Sequence, residues 1–227
     1  MKKHIPNIIT LLNLFSGCIA LVYATEGNFM MAFIFVSLGI FFDFFDGFFA
    51  RLFKVEGELG LQLDSLADMV TSGVVPGFVM FKMLSDYSTS EYLPYLGFII
   101  TLGSCMRLAK FNIDTRQTDS FIGLPTPANA LFILSLPLVV QAADFEFAVT
   151  TLTNVWVLLG ISALSAYILN AELPLFSLKI KNFSFAKYKL QIFFLLLTVV
   201  LLAVFNILGV PLVIITYVLL SVFNRAK

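Results

Sequence analysis

The chain has 227 residues, of which 59% are hydrophobic and only 12% are charged, and its formal net charge is zero. Soluble domains carry about 25% charged residues, so this composition excludes an ordinary water-soluble enzyme and predicts a membrane protein that crosses the bilayer several times. The balanced charge gives no reason to expect binding to nucleic acid. The predicted fold class is all-α, a bundle of membrane-spanning helices.

Apolar segments of about 20 residues, the length that crosses a bilayer, follow one another along the chain. We predict eight transmembrane helices, at about 6–24, 28–50, 62–84, 92–109, 126–143, 150–169, 189–207 and 210–224. The break at 208–211 contains Gly209 and Pro211 and favours a tight hairpin between the last two helices. One membrane domain is expected over 1–227, with a six-helix catalytic core at about 5–180 and a C-terminal helical hairpin at about 189–224.

The positive charges lie on one side of the predicted helices. With a cytoplasmic N-terminus, all 14 Lys and Arg residues except Lys82 fall in cytoplasmic loops or termini. Positive residues are retained on the cytoplasmic side of membrane proteins, so we expect both termini in the cytoplasm. A six-helix alternative, in which the last pair is fused or dropped, keeps the same orientation.

Four aspartates lie within two very hydrophobic segments of the chain, at Asp43, Asp46, Asp64 and Asp68. A carboxylate in an apolar helix is costly unless something binds or neutralises it. The first two are three residues apart and the last two are four apart, so each pair shares one helix face. Since a turn near 54–57 joins the two helices, both pairs should meet at matching depth near the cytoplasmic end.

These carboxylates predict a site for divalent cations. Hard oxygen ligands favour Mg²⁺, Mn²⁺ or Ca²⁺ over zinc, and two such ions could clamp a diphosphate. Gly47 and Ala50 keep the neighbouring helix face small, and Arg51 adds a cation suited to phosphate. One alternative is helix-packing ion pairs, for which only Arg51 and Lys54 are near. Another is an ion pathway, whose ionisable groups would sit near the middle of the bilayer.

The spacing of these residues resembles the signature of the CDP-alcohol phosphatidyltransferases. Every fixed position is present in Asp43-x₂-Asp46-Gly47-x₂-Ala50-Arg51-x₈-Gly60-x₃-Asp64-x₃-Asp68. Members of that family are integral membrane enzymes that use divalent metal, transfer a phosphatidyl group from a CDP-linked lipid to an alcohol, and release CMP. The segments 5–17, 63–68, 107–112, 121–127 and 174–179 are similar to those of bacterial members that use serine, although Lys110 stands where the pattern more often has Arg.

The resemblance implies roles for the matched residues. The implied metal ligands, for two ions of Mg²⁺ or Mn²⁺ or alternatively Ca²⁺, are Asp43, Asp46, Asp64 and Asp68. Asp68 is also the implied general base. The residues implied to hold the CDP portion of CDP-diacylglycerol are Gly47, Ala50, Arg51, Thr10 and Asn13.

The expected reaction joins the phosphatidyl group to the hydroxyl of L-serine at the cytoplasmic face of the bacterial inner membrane. Candidates for contact with serine are Arg107, Lys110, Asn112 and Arg116. The basic residues have an alternative role, which is to set topology and contact anionic headgroups of membrane lipids.

Other functions stay open at this point. A sister enzyme would use glycerol-3-phosphate or an inositol phosphate as acceptor, and should need more clustered basic residues. A divalent metal-ion transporter is the alternative from another class. The residues also leave open whether the phosphatidyl group is transferred directly or through a covalent phosphatidyl-enzyme. The resemblance to the family allows a homodimer.

Overall fold

The computed structural model of the chain describes residues 4–114, 121–176 and 189–224. Within these ranges the protein is almost entirely helical, so the predicted all-α class is confirmed. The α-helices are α1 (Ile5–Thr25), α2 (Phe29–Phe53), α3 (Glu58–Asp68), α4 (Val75–Tyr87), α5 (Ile99–Ile113), α6 (Thr126–Ala142), α7 (Glu146–Leu152), α8 (Val155–Asn170), α9 (Lys189–Phe205) and α10 (Gly209–Asn224). The other elements are a π-helical turn (Met69–Val74), two 3₁₀ turns (Leu93–Phe98 and Asn206–Leu208) and two short strands, β1 (Phe121–Ile122) and β2 (Pro174–Leu175).

Many of these helices are suited to a membrane. Five stretches of the described residues are long and apolar enough to cross it, namely Ile5–Thr25, Phe29–Phe53, Glu58–Tyr87, Leu93–Ile113 and Lys189–Phe223. A sixth is added if α7 and α8, which meet at an angle of 76°, count as one broken span, and α6 is a shorter apolar helix of 17 residues. Each of the eight predicted segments contains a helix in the structure. That the chain crosses the membrane eight times stays a prediction.

The stretch Lys189–Phe223 folds back on itself. The ring centroids of Phe194 in α9 and Tyr217 in α10 are 5.6 Å apart, whereas a straight helix would separate these residues by about 35 Å. The chain reverses at Asn206, where φ is 48°, and at Gly209, where a Cβ would lie 2.6 Å from the carbonyl oxygen of Leu201. Therefore α9 and α10 form a helical hairpin.

The first two helices pack side by side, because small residues let their backbones come close. Ala20 and Ala24 of α1 and Ala32 of α2 are fully buried in one cluster with Val75 of α4. Close backbone approach is a main source of helix association in lipid, where hydrophobic exclusion from water contributes little. This packing fixes the relative position of α1 and the aspartates of α2.

A π-helical turn interrupts the third predicted helix directly after Asp68. It places Thr71 between α1 and α2, where a Cβ on Gly39 would lie 2.7 Å from Cγ2 of Thr71 and one on Gly17 would lie 3.0 Å from its Cα. The hydroxyl of Thr71 donates a hydrogen bond to the carbonyl oxygen of Asn13, at 3.2 Å. Such turns recur at functional sites because they change the direction of neighbouring side chains. Sequence periodicity predicted one uninterrupted helix here.

Two loops at one end of the bundle are tied together by β1 and β2. The strands pair antiparallel, with Phe121 opposite Leu175. The N–H of Gly123 donates to the carbonyl oxygen of Leu173 at 2.9 Å, and φ of Gly123 is 77°. On the hairpin, the Tyr217 hydroxyl donates to the carbonyl oxygen of Phe176 at 2.9 Å. The segment after α8 is thus held both by β1 and by α10.

Candidate active site

Three carboxylates converge between α2 and α3. One carboxylate oxygen from each of Asp43, Asp46 and Asp64 lies within 4.8 Å of the other two. Asp46 is buried, and its Oδ2 has no hydrogen-bond partner among the described residues. A cluster of carboxylates with an unsatisfied buried oxygen fits a hard divalent cation, which takes oxygen ligands and offsets the cost of burial. The matching depth of the two helices is therefore seen in the structure for these three residues.

Asp68 lies near this carboxylate cluster, but it is not one of the three residues whose oxygens lie within 4.8 Å of one another. It is 8% exposed, and its Oδ1 accepts a hydrogen bond from Nδ2 of Asn13 at 3.2 Å. The carboxylate also lies within electrostatic range of Asp64 and of the Arg107 guanidinium. Asp68 is thus oriented by an amide of α1 and interacts electrostatically with both the acidic cluster and a cation of α5. Its roles as metal ligand and as base stay predictions.

A cavity of about 210 Å³ opens beside the carboxylate cluster. The signature residues that line it are Asp46, Gly47, Ala50, Gly60 and Asp64, together with Thr10 of α1. A Cβ on Gly47 would lie 3.4 Å from a terminal nitrogen of Arg51, so glycine leaves room for the guanidinium beside the cavity. These contacts suit a nucleotide diphosphate. Glu56 also lines the cavity, and sequence reasoning missed it because its only signal is its position in the turn between α2 and α3.

Thr10 and Asn13 differ in their surroundings although both were predicted to contact the nucleotide. The Thr10 hydroxyl donates to the carbonyl oxygen of Pro6 at 3.1 Å, and the residue faces the 210 Å³ cavity. Asn13 is fully buried between Asp68 and Thr71, and does not line that cavity. The hydrogen bond from Asn13 therefore suits it to orient the Asp68 carboxylate. Contact of Thr10 or Asn13 with the nucleotide stays a prediction.

A second cavity, of about 350 Å³, is lined by basic residues of α5 and by the end of α8. Arg107 is 7% exposed, its guanidinium carbon lies 5.8 Å from the ring centroid of Phe111, and its Nε has no hydrogen-bond partner among the described residues. Lys110 lines the same cavity and is exposed. The structure therefore brings these two predicted serine contacts together in the 350 Å³ cavity.

The other two predicted serine contacts are placed differently. Asn112 Nδ2 donates to the hydroxyl of Ser65 at 2.9 Å, and that hydroxyl donates back to Asn112 Oδ1 at 3.1 Å. This exchange links α5 to α3, and Asn112 does not line the 350 Å³ cavity. Arg116 lies outside the described residues. Sequence reasoning missed Asn170 and Glu172, which do line the cavity and whose only sequence signal is their polarity after an apolar helix.

Comparison with known proteins assigns this site to a class of enzyme. Residues 3–163 match the model of the CDP-alcohol phosphatidyltransferase family, and the chain belongs to that family. It is consequently a membrane phosphatidyltransferase, as the resemblance of the signature at 43–68 implied.

Individual relatives make the similarity more specific. CDP-diacylglycerol–serine O-phosphatidyltransferase of Bacillus subtilis is 37% identical over 139 residues, which cover 59% of this chain and 75% of the relative. The Helicobacter pylori protein of the same name is 31% identical over 196 residues, covering 85% and 78%. Archaetidylserine synthase of Methanothermobacter thermautotrophicus is 31% identical over 134 residues, covering 58% and 56%.

Proposed function

We propose that the protein is a phosphatidylserine synthase, which transfers the phosphatidyl group of CDP-diacylglycerol to the hydroxyl of L-serine and releases CMP. The observation that carries this proposal is the position of Asp68, within electrostatic range of both the carboxylate cluster and Arg107 of the 350 Å³ cavity. Similarity to relatives named as serine enzymes supports the choice of acceptor.

The chain's own residues divide the work of the reaction. The serine hydroxyl oxygen attacks the phosphorus that carries the lipid, the bond from that phosphorus to the CMP oxygen breaks, and Asp68 takes the hydroxyl proton. Asn13 holds Asp68 through its amide, and Arg51 contacts the diphosphate from beside Gly47. Arg107 and Lys110 bind the serine carboxylate.

The proposed cofactor is Mg²⁺ or Mn²⁺, as two ions. Asp43, Asp46 and Asp64 are its proposed ligands. Asp68 is the proposed ligand of the second ion. Bound there, the cations would neutralise the charge of the diphosphate. Thr10, Gly47 and Ala50 are the proposed walls of the nucleotide site.

The proposed setting follows from topology. The chain forms one domain over 1–227, with the core at about 5–180 and the hairpin at about 189–224, in the bacterial inner membrane. The one-sided Lys and Arg distribution supports a cytoplasmic position for both termini and the active site. Acyl chains then stay in the lipid while serine and CMP exchange with water. The homodimer that the resemblance allows stays a prediction.

Release of CMP with different alcohols tests the acceptor. The purified chain, given CDP-diacylglycerol, is expected to release CMP with L-serine and to form a phosphatidylserine product. Activity with glycerol-3-phosphate or an inositol phosphate but not with serine would assign it to a sister enzyme. Ion flux into liposomes without any lipid product would instead support the transporter.

Metal removal is expected to reduce CMP release by at least about 100-fold, since the diphosphate charge would no longer be neutralised. The protein is stripped with a chelator, its metal content is measured, and Mg²⁺ or Mn²⁺ is added back to restore the rate. Asp64→Asn should raise the metal concentration required for half-maximal rate. Unchanged activity in protein verified to be metal-free would contradict the metal proposal.

A further inference from the structure

We propose that Asn170 and Glu172 bind the amino group of the acceptor in the 350 Å³ cavity, and that they select a zwitterionic amino alcohol over a phosphorylated one. The proposal rests on the proposed function and adds a recognition element to it. Both residues belong to the segment where α8 ends and β2 begins.

The cavity walls carry charges of both signs. Its described charged lining residues are the cations Arg107 and Lys110 and the anions Asp114 and Glu172. A phosphorylated alcohol would bring its negative phosphate towards two carboxylates, and such like-charge contact disfavours binding. A zwitterion can place its carboxylate at the cations and its ammonium at the anions. Charged side chains of both signs among the described lining residues therefore suit an amino acid.

Asn170 supplies an oriented acceptor. Its Nδ2 donates to the carbonyl oxygen of Gly103 at 2.9 Å and to that of Ala166 at 3.1 Å, which uses both N–H groups. Its Oδ1 is buried and has no hydrogen-bond partner within the described ranges. An unpaired buried acceptor is costly, and an ammonium group in the cavity would satisfy it. The fixed amide can accept from a ligand but has no N–H left to donate.

Arg107 and Asn170 lie at the same level on neighbouring helices. Helices α5 and α8 touch where a Cβ on Gly103 would lie 2.9 Å from Cα of Ala166. Arg107 follows Gly103 by four residues and Asn170 follows Ala166 by four, which is about one turn on each helix. An unpartnered donor, Nε of Arg107, and an unpartnered acceptor, Oδ1 of Asn170, thus line one cavity. This pairing suits the two charged groups of an amino acid.

Glu172→Gln is the decisive substitution, because it removes the charge at nearly constant shape. In the full chain with CDP-diacylglycerol, we expect the KM for L-serine to rise about tenfold with kcat nearly unchanged, as for one charge-assisted contact. The matched control is Glu146→Gln, at the start of α7 beyond the far end of α6, which should leave the KM unchanged.

Two serine analogues show which group of the acceptor is recognised. As competitors of serine, 2-aminoethanol lacks the carboxylate and 3-hydroxypropanoate lacks the ammonium. Glu172→Gln should weaken competition by 2-aminoethanol about tenfold and leave 3-hydroxypropanoate unaffected, and Lys110→Gln should do the reverse. If neither analogue competes with serine, the amino-group site is tested by comparing the KM for serine of the Glu172→Gln variant with that of the Glu146→Gln variant.

Each outcome separates this inference from the proposed function. An active wild-type chain whose Glu172→Gln variant keeps the wild-type KM would overturn the amino-group site and leave the serine reaction intact. Equal weakening of both analogues would also overturn it, because it would show a general effect on the cavity. A wild-type chain that releases no CMP with serine would overturn the proposed function, and the amino-group site with it.

Discussion

Asp68→Asn is expected to reduce phosphatidyl transfer by about 10³-fold, because an amide cannot take the proton of the serine hydroxyl. The substitution keeps the size of the side chain, and its oxygen can still accept the hydrogen bond from Asn13 Nδ2. The variant should therefore fold, with a melting temperature in detergent close to that of the wild type. Initial rates of CMP release at saturating serine and metal are the measurement.

A matched control separates the role of Asp68 from a general effect of lost charge. Asp86 lies exposed near the far end of α4, in the same long helical stretch as Asp68, and Asp86→Asn should leave the rate unchanged. Full activity of Asp68→Asn would remove its proposed role as base. A loss of activity that excess metal restores would show that Asp68 acts mainly as a ligand.

Gly39→Ala is expected to lower both the melting temperature and the rate of CMP release. The added Cβ would lie 2.7 Å from Cγ2 of Thr71 and 2.8 Å from Oδ1 of Asn13, so α1, α2 and the π-helical turn would have to move apart. Such overpacking costs about 1–3 kcal/mol. Asn13 holds Asp68, and a small displacement of a catalytic group can cost about 100-fold in rate.

Gly160→Ala is the control for this substitution. Gly160 also lies within a helix, but a Cβ built there meets nothing within 4 Å. Alanine is the better helix former by about 1 kcal/mol, so this variant should be as stable as the wild type or more so. Equal behaviour of the two alanine variants, in thermal unfolding and in CMP release, would show that the packing of Gly39 does not position the site.

Local sequence patterns predicted the acidic part of the site well. Helical spacing alone placed Asp43 and Asp46 on one face, and the short turn to α3 brought Asp64 to the same depth. The same reasoning put Asp68 with them. In the structure Asp68 is not part of the cluster of three carboxylates, and its carboxylate accepts a hydrogen bond from Asn13.

The remaining parts of the site depend on contacts between distant segments. The π-helical turn places Thr71 between Gly17 and Gly39, and helical periodicity carries no signal for this fit. Asn170 and Glu172 reach the cavity of Arg107 because α8 packs on α5 and because β2 pairs with β1. Pairing across more than 50 residues cannot be derived from the spacing of residues within one helix.

The position of Asn170 and Glu172 along the chain has a consequence for how acceptor preference can change. The match to the family model ends at residue 163, so both residues lie beyond it, whereas the aspartates and the walls of the 210 Å³ cavity lie within it. The segment that carries Glu172 is anchored by Tyr217 of the hairpin. Exchange of the stretch from Asn170 onward between relatives is therefore expected to alter the alcohol that is accepted while the lipid nucleotide is bound as before.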